Sequence, residues 1–112
     1  MLLTDTNRSL EVKLGGAIVT TQPTWTIAYV DITQATTEVF AEADDDGALN
    51  SMTAVVMAAA PAAGKTRQIK AFSVYNDDTA QVVVIVQKDH AGTKRRICKV
   101  PLEPGESLHY DG

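Results

Sequence analysis

Four stretches of this 112-residue sequence carry residue types that could do chemistry. "APAAGKT" at 60–66 matches the tail of a phosphate-binding loop, in which backbone amides and a lysine hold phosphate oxygens. The complete motif needs a glycine five residues before Gly64. Ala59 stands there, and the residues that follow read as a strand rather than a helix. "EADDDGALNSMT" at 42–53 has acids at alternate positions and glycine at the sixth, as in a calcium loop. Its twelfth position is Thr53, where a bidentate glutamate is required. His90 and His109 are separated by a turn and a strand, and a zinc site needs further ligands at close spacing. Cys98 with either histidine would make a nucleophile and base, but it falls on an alternating strand with nothing adjacent to lower the thiol pKa. No motif is complete. The expectation is a protein that is not an enzyme and takes no cofactor and no metal.

Charge and length exclude other classes. A chain of this size forms one domain and buries roughly two-thirds of its unfolded surface. The formal net charge of −4 argues against a nucleic-acid platform, which needs a net basic face. Lys94, Arg95, Arg96 and Lys99 form the one basic cluster; alternation along a strand divides them between two faces, where they guard an edge or meet an acidic partner. No run approaches the roughly 18 apolar residues of a membrane helix. "MLLTDTNRSL" lacks the basic and then apolar order of a secretory leader, so synthesis and folding in a cytoplasm are expected. Cys98 is the only cysteine, which excludes an internal disulfide.

The elements that must position these residues are strands. Residues 1–8 read as an N-terminal arm. "SLEVKLGG" sets Leu10, Val12 and Leu14 against Ser9, Glu11 and Lys13, the period of a half-buried strand. "AIVTTQP" extends as a short strand up to Pro23. "TWTIAYVDI" alternates Trp25, Ile27 and Tyr29 with Thr26, Ala28 and Val30; both sets are largely apolar. Residues 33–50 read as a variable loop, with a helical turn around Thr37–Ala43 or a short edge strand at Val39-Phe40; Asp44, Asp45, Asp46 and Gly47 are loop signals. "SMTAVVMAA" is a strand closed by Pro61. Arg67–Tyr75 and Gln81–Lys88 flank "NDDTA", which predicts an antiparallel hairpin, and the continuous "VVVIV" predicts a strand covered on both faces. "DHAGTK" and "EPGE" are further turns; Pro104-Gly105 predicts a type II turn that returns Leu108 and Tyr110 into a sheet. About seven or eight strands in one domain over 9–112 predict an all-β antiparallel β-sandwich of jelly-roll or immunoglobulin-like connectivity.

Three segments, "SLEVKLGGAIVTTQPTWTIAYVDIT", "AAPAAGKTRQIKAFSVYNDDTAQVVVIVQKD" and "KVPLEPGESLHYDG", resemble a group of small structural proteins from the virions of tailed bacteriophages. The matching positions are Ser9, Leu10, Val12, Leu14, Gly16, Ala17, Tyr29 and Asp31, and then Arg67, Ile69, Ser73, Val74, Asn76, Asp78, Thr79, Val82, Val84 and Val86. The closing match is Val100, Leu102, Pro104, Gly105, Glu106, Ser107, Leu108 and Tyr110. Relatives of that kind often carry a tryptophan-bearing tail after the last strand, and this sequence ends at Gly112.

The resemblance implies an assembly component made in a bacterial host and housed in the virion. Its implied role is a capsid decoration or cement protein working as a homo-oligomer; the alternative in the same class is a tail-associated or fibre-adaptor protein. Its partners would be other virion proteins, the major capsid protein or tail proteins, with no direct nucleic acid and no membrane. From another class comes a carbohydrate-binding β-sandwich using Trp25, Tyr29, Tyr75 and Tyr110 for stacking. At 45% hydrophobic, the chain has more apolar surface than one inner face hides. Val30, Phe40 and Met57 are therefore expected at subunit contacts, together with Asp44, Asp45, Asp46, Arg95 and Arg96 as a charged interaction surface.

Overall fold

A computed structural model describes residues 1–33, 39–49 and 51–111. The described residues form nine strands: β1 Leu2–Leu3, β2 Arg8–Leu14, β3 Thr24–Thr33, β4 Val39–Ala48, β5 Val55–Ala58, β6 Lys65–Tyr75, β7 Val82–His90, β8 Thr93–Leu102 and β9 Ser107–Asp111. All pairings are antiparallel. One sheet, here sheet A, runs β1-β6-β3-β4, with β9 sharing the outer side of β6 beyond β1. Sheet B runs β5-β2-β7-β8. The result is a single two-sheet, β-sandwich-like domain.

Alternation along the strands builds the core between the sheets. Leu10, Val12 and Leu14 of β2 and Val82, Val84 and Val86 of β7 face Trp25 and Ile27 of β3 and Ile69, Phe72 and Val74 of β6. Each fully buried aliphatic side chain contributes about 1.5–3 kcal/mol. β7 lies between β2 and β8, and Ile85 on its opposite face is also buried, as the unbroken "VVVIV" run predicts.

Four expectations are corrected. The arm at 1–8 is tied down: Leu2–Leu3 pair with Arg67 and Gln68, and Leu3 is fully buried in the core. "AIVTTQP" forms no strand, because its amides are taken by a side chain described below. The stretch 39–48 is not loop but a ten-residue edge strand paired with β3 along its whole length. Within it, a Cβ on Gly47 would come within 2.7 Å of Trp25 Cζ2, so the glycine that reads as a turn signal is there to admit the indole. The rest of the 33–50 expectation, at residues 34–38 and at 50, lies outside the described residues. Finally, β6 and β7 are not a hairpin. They belong to different sheets, and "NDDTA" carries the chain across the sandwich.

The two other turns form as their residues dictate. Ala91 and Gly92 have φ of 53° and 93° at the tip of the β7–β8 hairpin, both in the left-handed region that a two-residue loop of matching twist needs. At Glu103–Glu106 the Glu106 amide donates to the Glu103 carbonyl at 3.0 Å, and Gly105 has φ of 83°, the type II geometry. This turn leads from sheet B into sheet A rather than back into the same sheet. A Cβ on Gly105 would touch nothing, so its conformation alone penalises substitution. Gly105→Val is expected to lower unfolding free energy by about 1–3 kcal/mol; an unchanged denaturation midpoint would remove the positive-φ turn.

Candidate interaction surfaces

Three connections that cross between the sheets meet at one end of the sandwich, and two polar side chains join them. Asn76 is fully buried. Its Nδ2 donates to the carbonyls of Ala80 (3.0 Å) and Leu102 (2.9 Å), and its Oδ1 accepts from the Asp78 amide at 2.9 Å. Its backbone closes a reciprocal pair with the type II turn: Asn76 N to Glu106 O at 2.9 Å and Gly105 N to Asn76 O at 3.0 Å. Asp78, 3% exposed, collects the β2–β3 connection. Its carboxylate accepts from the amides of Val19 (2.8 Å), Thr20 (2.9 Å), Thr21 (3.2 Å) and Thr79 (2.8 Å), and from Thr20 Oγ1 (2.9 Å).

The Val19 amide leads this set in holding the Asp78 carboxyl well below the usual carboxylate range. Desolvation opposes the shift, and the amides of Thr20, Thr21 and Thr79 add to it. A depressed native pKa means the unfolded chain binds the proton first. The stabilisation is complete above the unfolded carboxylate value of about 3.9 and is lost as pH falls through the lower native one. Sequence patterning reads Asn76 and Asp78 only as turn formers; the short spacing of Asn, Asp and Thr marks a turn but not what docks into it.

Arg67 and Asp31 are direct cross-strand partners on β6 and β3. Arg67 Nε and Nη2 bind the two Asp31 oxygens at 2.7 and 3.0 Å, its Nη1 donates to the Ala59 carbonyl, and its guanidinium lies 4.3 Å from the Tyr29 ring centre. Hydrogen bonds from Arg67 hold the Asp31 carboxyl below its ordinary pKa, although burial opposes the shift. Arg67 is thus occupied on every side and fixes the β5–β6 connection to sheet A.

The groups with chemical potential do not converge. His90 ends β7 in sheet B and His109 lies on β9 in sheet A. Cys98 is half-buried against the core, and burial pushes its thiol pKa up. Among the described residues no three His, Cys, Asp or Glu side chains could hold a metal ion together. "APAAGKT" leads straight into β6, with Gly64 in the turn before it.

The outer face of sheet A carries a shallow groove of about 680 Å³. Its floor includes Ala28, Ala71 and the hydroxyl pair Thr26–Ser73 (2.9 Å); Asp44 and Asp46 of β4 wall one side, His109 and Asp111 of β9 the other. Of the aromatic residues considered for stacking, Tyr110 borders this groove, stacked on Phe72 with centres 5.1 Å apart, whereas Trp25 is 4% exposed, Tyr29 lies under Arg67 and Tyr75 is exposed on β6.

The residues expected at a contact surface divide in two. Met57 is 2% exposed within the core, on the inner side of β5, and Val30 is 9% exposed on β3. Their apolar character is used inside this chain. Phe40, Asp44, Asp45 and Asp46 lie exposed on β4, and Arg95 and Arg96 lie exposed on β8. Val39 and Phe40 are 55% and 62% exposed, a large apolar pair at one end of β4. Glu42 lies at the same edge, and Lys94 of the basic cluster turns back onto Glu11 (2.8 Å) and Asp89 (3.1 Å). Comparison of the chain with protein-family models, with curated proteins and with solved structures finds no match in any of the three.

Asp78→Asn keeps one acceptor oxygen but removes the charge. Its melting temperature at neutral pH should fall by roughly 5 °C or more, and the acid-induced loss of stability that the unmodified protein shows below about pH 4 should shrink. Parallel melting curves from pH 7 to pH 2 for both proteins would refute the role assigned to this carboxylate.

Proposed function

We propose that this chain is a non-enzymatic structural component of a tailed-bacteriophage virion, a capsid decoration or cement protein that acts through protein–protein contacts as a homo-oligomer. The observation that carries the reading is the pair of long sheet edges, β4 and β8, that have no outer partner strand among the described residues, one of them ending in exposed Val39 and Phe40. A protein whose task is to bind neighbours needs a rigid frame and presented edges. Convergent ionisable groups are not required for that task.

The topology supports a jelly-roll description over an immunoglobulin-like one. The pairs β3·β4, β2·β5 and β1·β6 nest inside one another along the chain and fall alternately in sheet A, sheet B and sheet A. This is the wiring of a long antiparallel ribbon rolled into two sheets. Jelly rolls build viral shells and also lectins, so the architecture alone does not choose between assembly and carbohydrate binding. The dispersal of Trp25, Tyr29, Tyr75 and Tyr110 favours assembly.

Quantitative mass spectrometry of particles from the phage that encodes this chain tests the proposal. Copies in the hundreds are expected for a head-decorating protein. A single ring's worth would move the protein to the tail, and absence from the particle, with no binding of the purified chain to purified heads, would overturn the virion assignment.

A further inference from the structure

The two long edge strands among the described residues, β4 and β8, carry opposite charge. β4 closes sheet A on one flank and β8 closes sheet B on the other, each ten residues long. The outward backbone amides and carbonyls of such strands are a ready template for another strand. Along β4, Glu42 to Asp46 are exposed throughout; along β8, Thr93 to Ile97 are exposed, and so is Lys99. Glu42 meets Lys70 at 3.0 Å, and Lys94 is taken by Glu11 and Asp89. Asp44, Asp45, Asp46, Arg95, Arg96 and Lys99 make no ion pair among the described residues.

We propose that a second copy of this chain occupies these edges, β4 of one copy adding antiparallel to β8 of the next. The inference deepens the assembly reading above by naming the partner. The spacing of charges supports the direction. Acids at 42, 45 and 46 and bases at 99, 96 and 95 have the same intervals in opposite order, so one antiparallel register sets Glu42 against Lys99, Asp45 against Arg96 and Asp46 against Arg95. That register also brings Phe40 to Pro101 and puts Ile97, the residue skipped at the bulge in the β7–β8 pairing, opposite Asp44. A parallel approach that matches Asp44–Asp46 to Lys94–Arg96 would leave Lys99 facing Leu49, past the end of β4.

Charged edges usually guard against aggregation. Here the guards differ in sign between edges. Two β4 edges would set carboxylates against carboxylates, and two β8 edges bases against bases, so like-with-like pairing is penalised while the mixed pair is favoured. The resulting contact is heterologous. Each added copy presents a fresh acidic edge and a fresh basic edge, and growth ends only in a ring or continues as a filament. Across each junction the order β3-β4 continues into β8-β7 of the next copy, joining sheet A to sheet B in one continuous sheet.

The test uses two reversed proteins, Asp45→Arg with Asp46→Arg, and Arg95→Asp with Arg96→Asp. The first carries bases at 45 and 46 as well as at 95 and 96, and the second carries acids at both pairs of positions, so the central contacts of the register become like-charged in each. Sedimentation velocity at low salt should show the unmodified protein associating, each reversed protein weaker in self-association by about tenfold or more, and an equimolar mixture of the two associating again. Association of the unmodified protein should also fall as salt rises from about 0.05 to 1 M, as the screening length shrinks to about 3 Å. This second measurement stands if a reversed protein fails to fold, which thermal melting reports. An unmodified protein that stays monomeric at low salt, or reversed proteins that associate as it does, would overturn the pairing. So would a mixture that remains monomeric. Reversed proteins that decorate phage heads at normal occupancy would overturn it and leave the virion reading intact. Restored association in the mixture, with the chain absent from particles, would keep the pairing and remove the virion reading.

Discussion

The fold depends on a buried polar corner at one end of the sandwich, where Asn76 and Asp78 hold three inter-sheet connections together. A sandwich whose chain crosses repeatedly between sheets must pass backbone amides and carbonyls through its rim, out of reach of ladder partners. Leaving such groups unsatisfied in a buried place costs about 1–3 kcal/mol each. Asn76 serves this need with both edges of its amide, and Asp78 with an anion that gathers four backbone amides. The apolar core supplies most of the driving force, but a core is indifferent to which loop covers it. The corner gives the loops their places and so decides which strand enters which sheet.

From that frame the edges follow. Once β6 and β7 are assigned to different sheets, β3–β4 and β7–β8 remain as the two long hairpins, one per sheet, and their outer strands have nothing further to pair with. β4 accordingly departs from the alternation of a half-buried strand: almost every residue from Val39 to Ala48 is exposed, and Ala41 and Ala43 do not fill a core face. A strand with so little to bury is held mainly by its ladder with β3 and by the indole of Trp25 lying over Gly47. Its outward character is set by carboxylates, that of β8 by guanidinium and ammonium groups. The sandwich therefore has a built-in polarity, which the net charge of −4 conceals because the two signs largely cancel.

Much of the local structure was legible in advance. Alternation located β2, β3 and β8, β-rich runs located β6 and β7, and Pro104-Gly105 specified a turn whose geometry requires positive φ. Two kinds of feature were not legible. Asp44, Asp45, Asp46 and Gly47 carry every local signal of a loop, and they form a strand because β3 offers a complete ladder beside them. "NDDTA" between two β-rich runs carries the signals of a hairpin, and it crosses the sandwich because its side chains bond to Leu102 and to residues 19–21 instead of closing on their own flanks. Met57 and Val30 likewise differ from their expected exposure, since hydropathy does not say which neighbour covers a side chain.

The sequence by itself determined the all-β class, the core-facing residues of β2, the covering of β7 on both faces, and the turn chemistry at Gly92 and Gly105. These rest on interactions between residues a few positions apart, which a one-dimensional pattern records. Only the tertiary structure decided which strands are neighbours, that the acidic stretch is an edge, and that its basic counterpart lies on the opposite flank in the other sheet. Those outcomes rest on hydrogen bonds and packing between residues tens of positions apart, and alternation tells a side chain which face it occupies but never whose strand lies beside it.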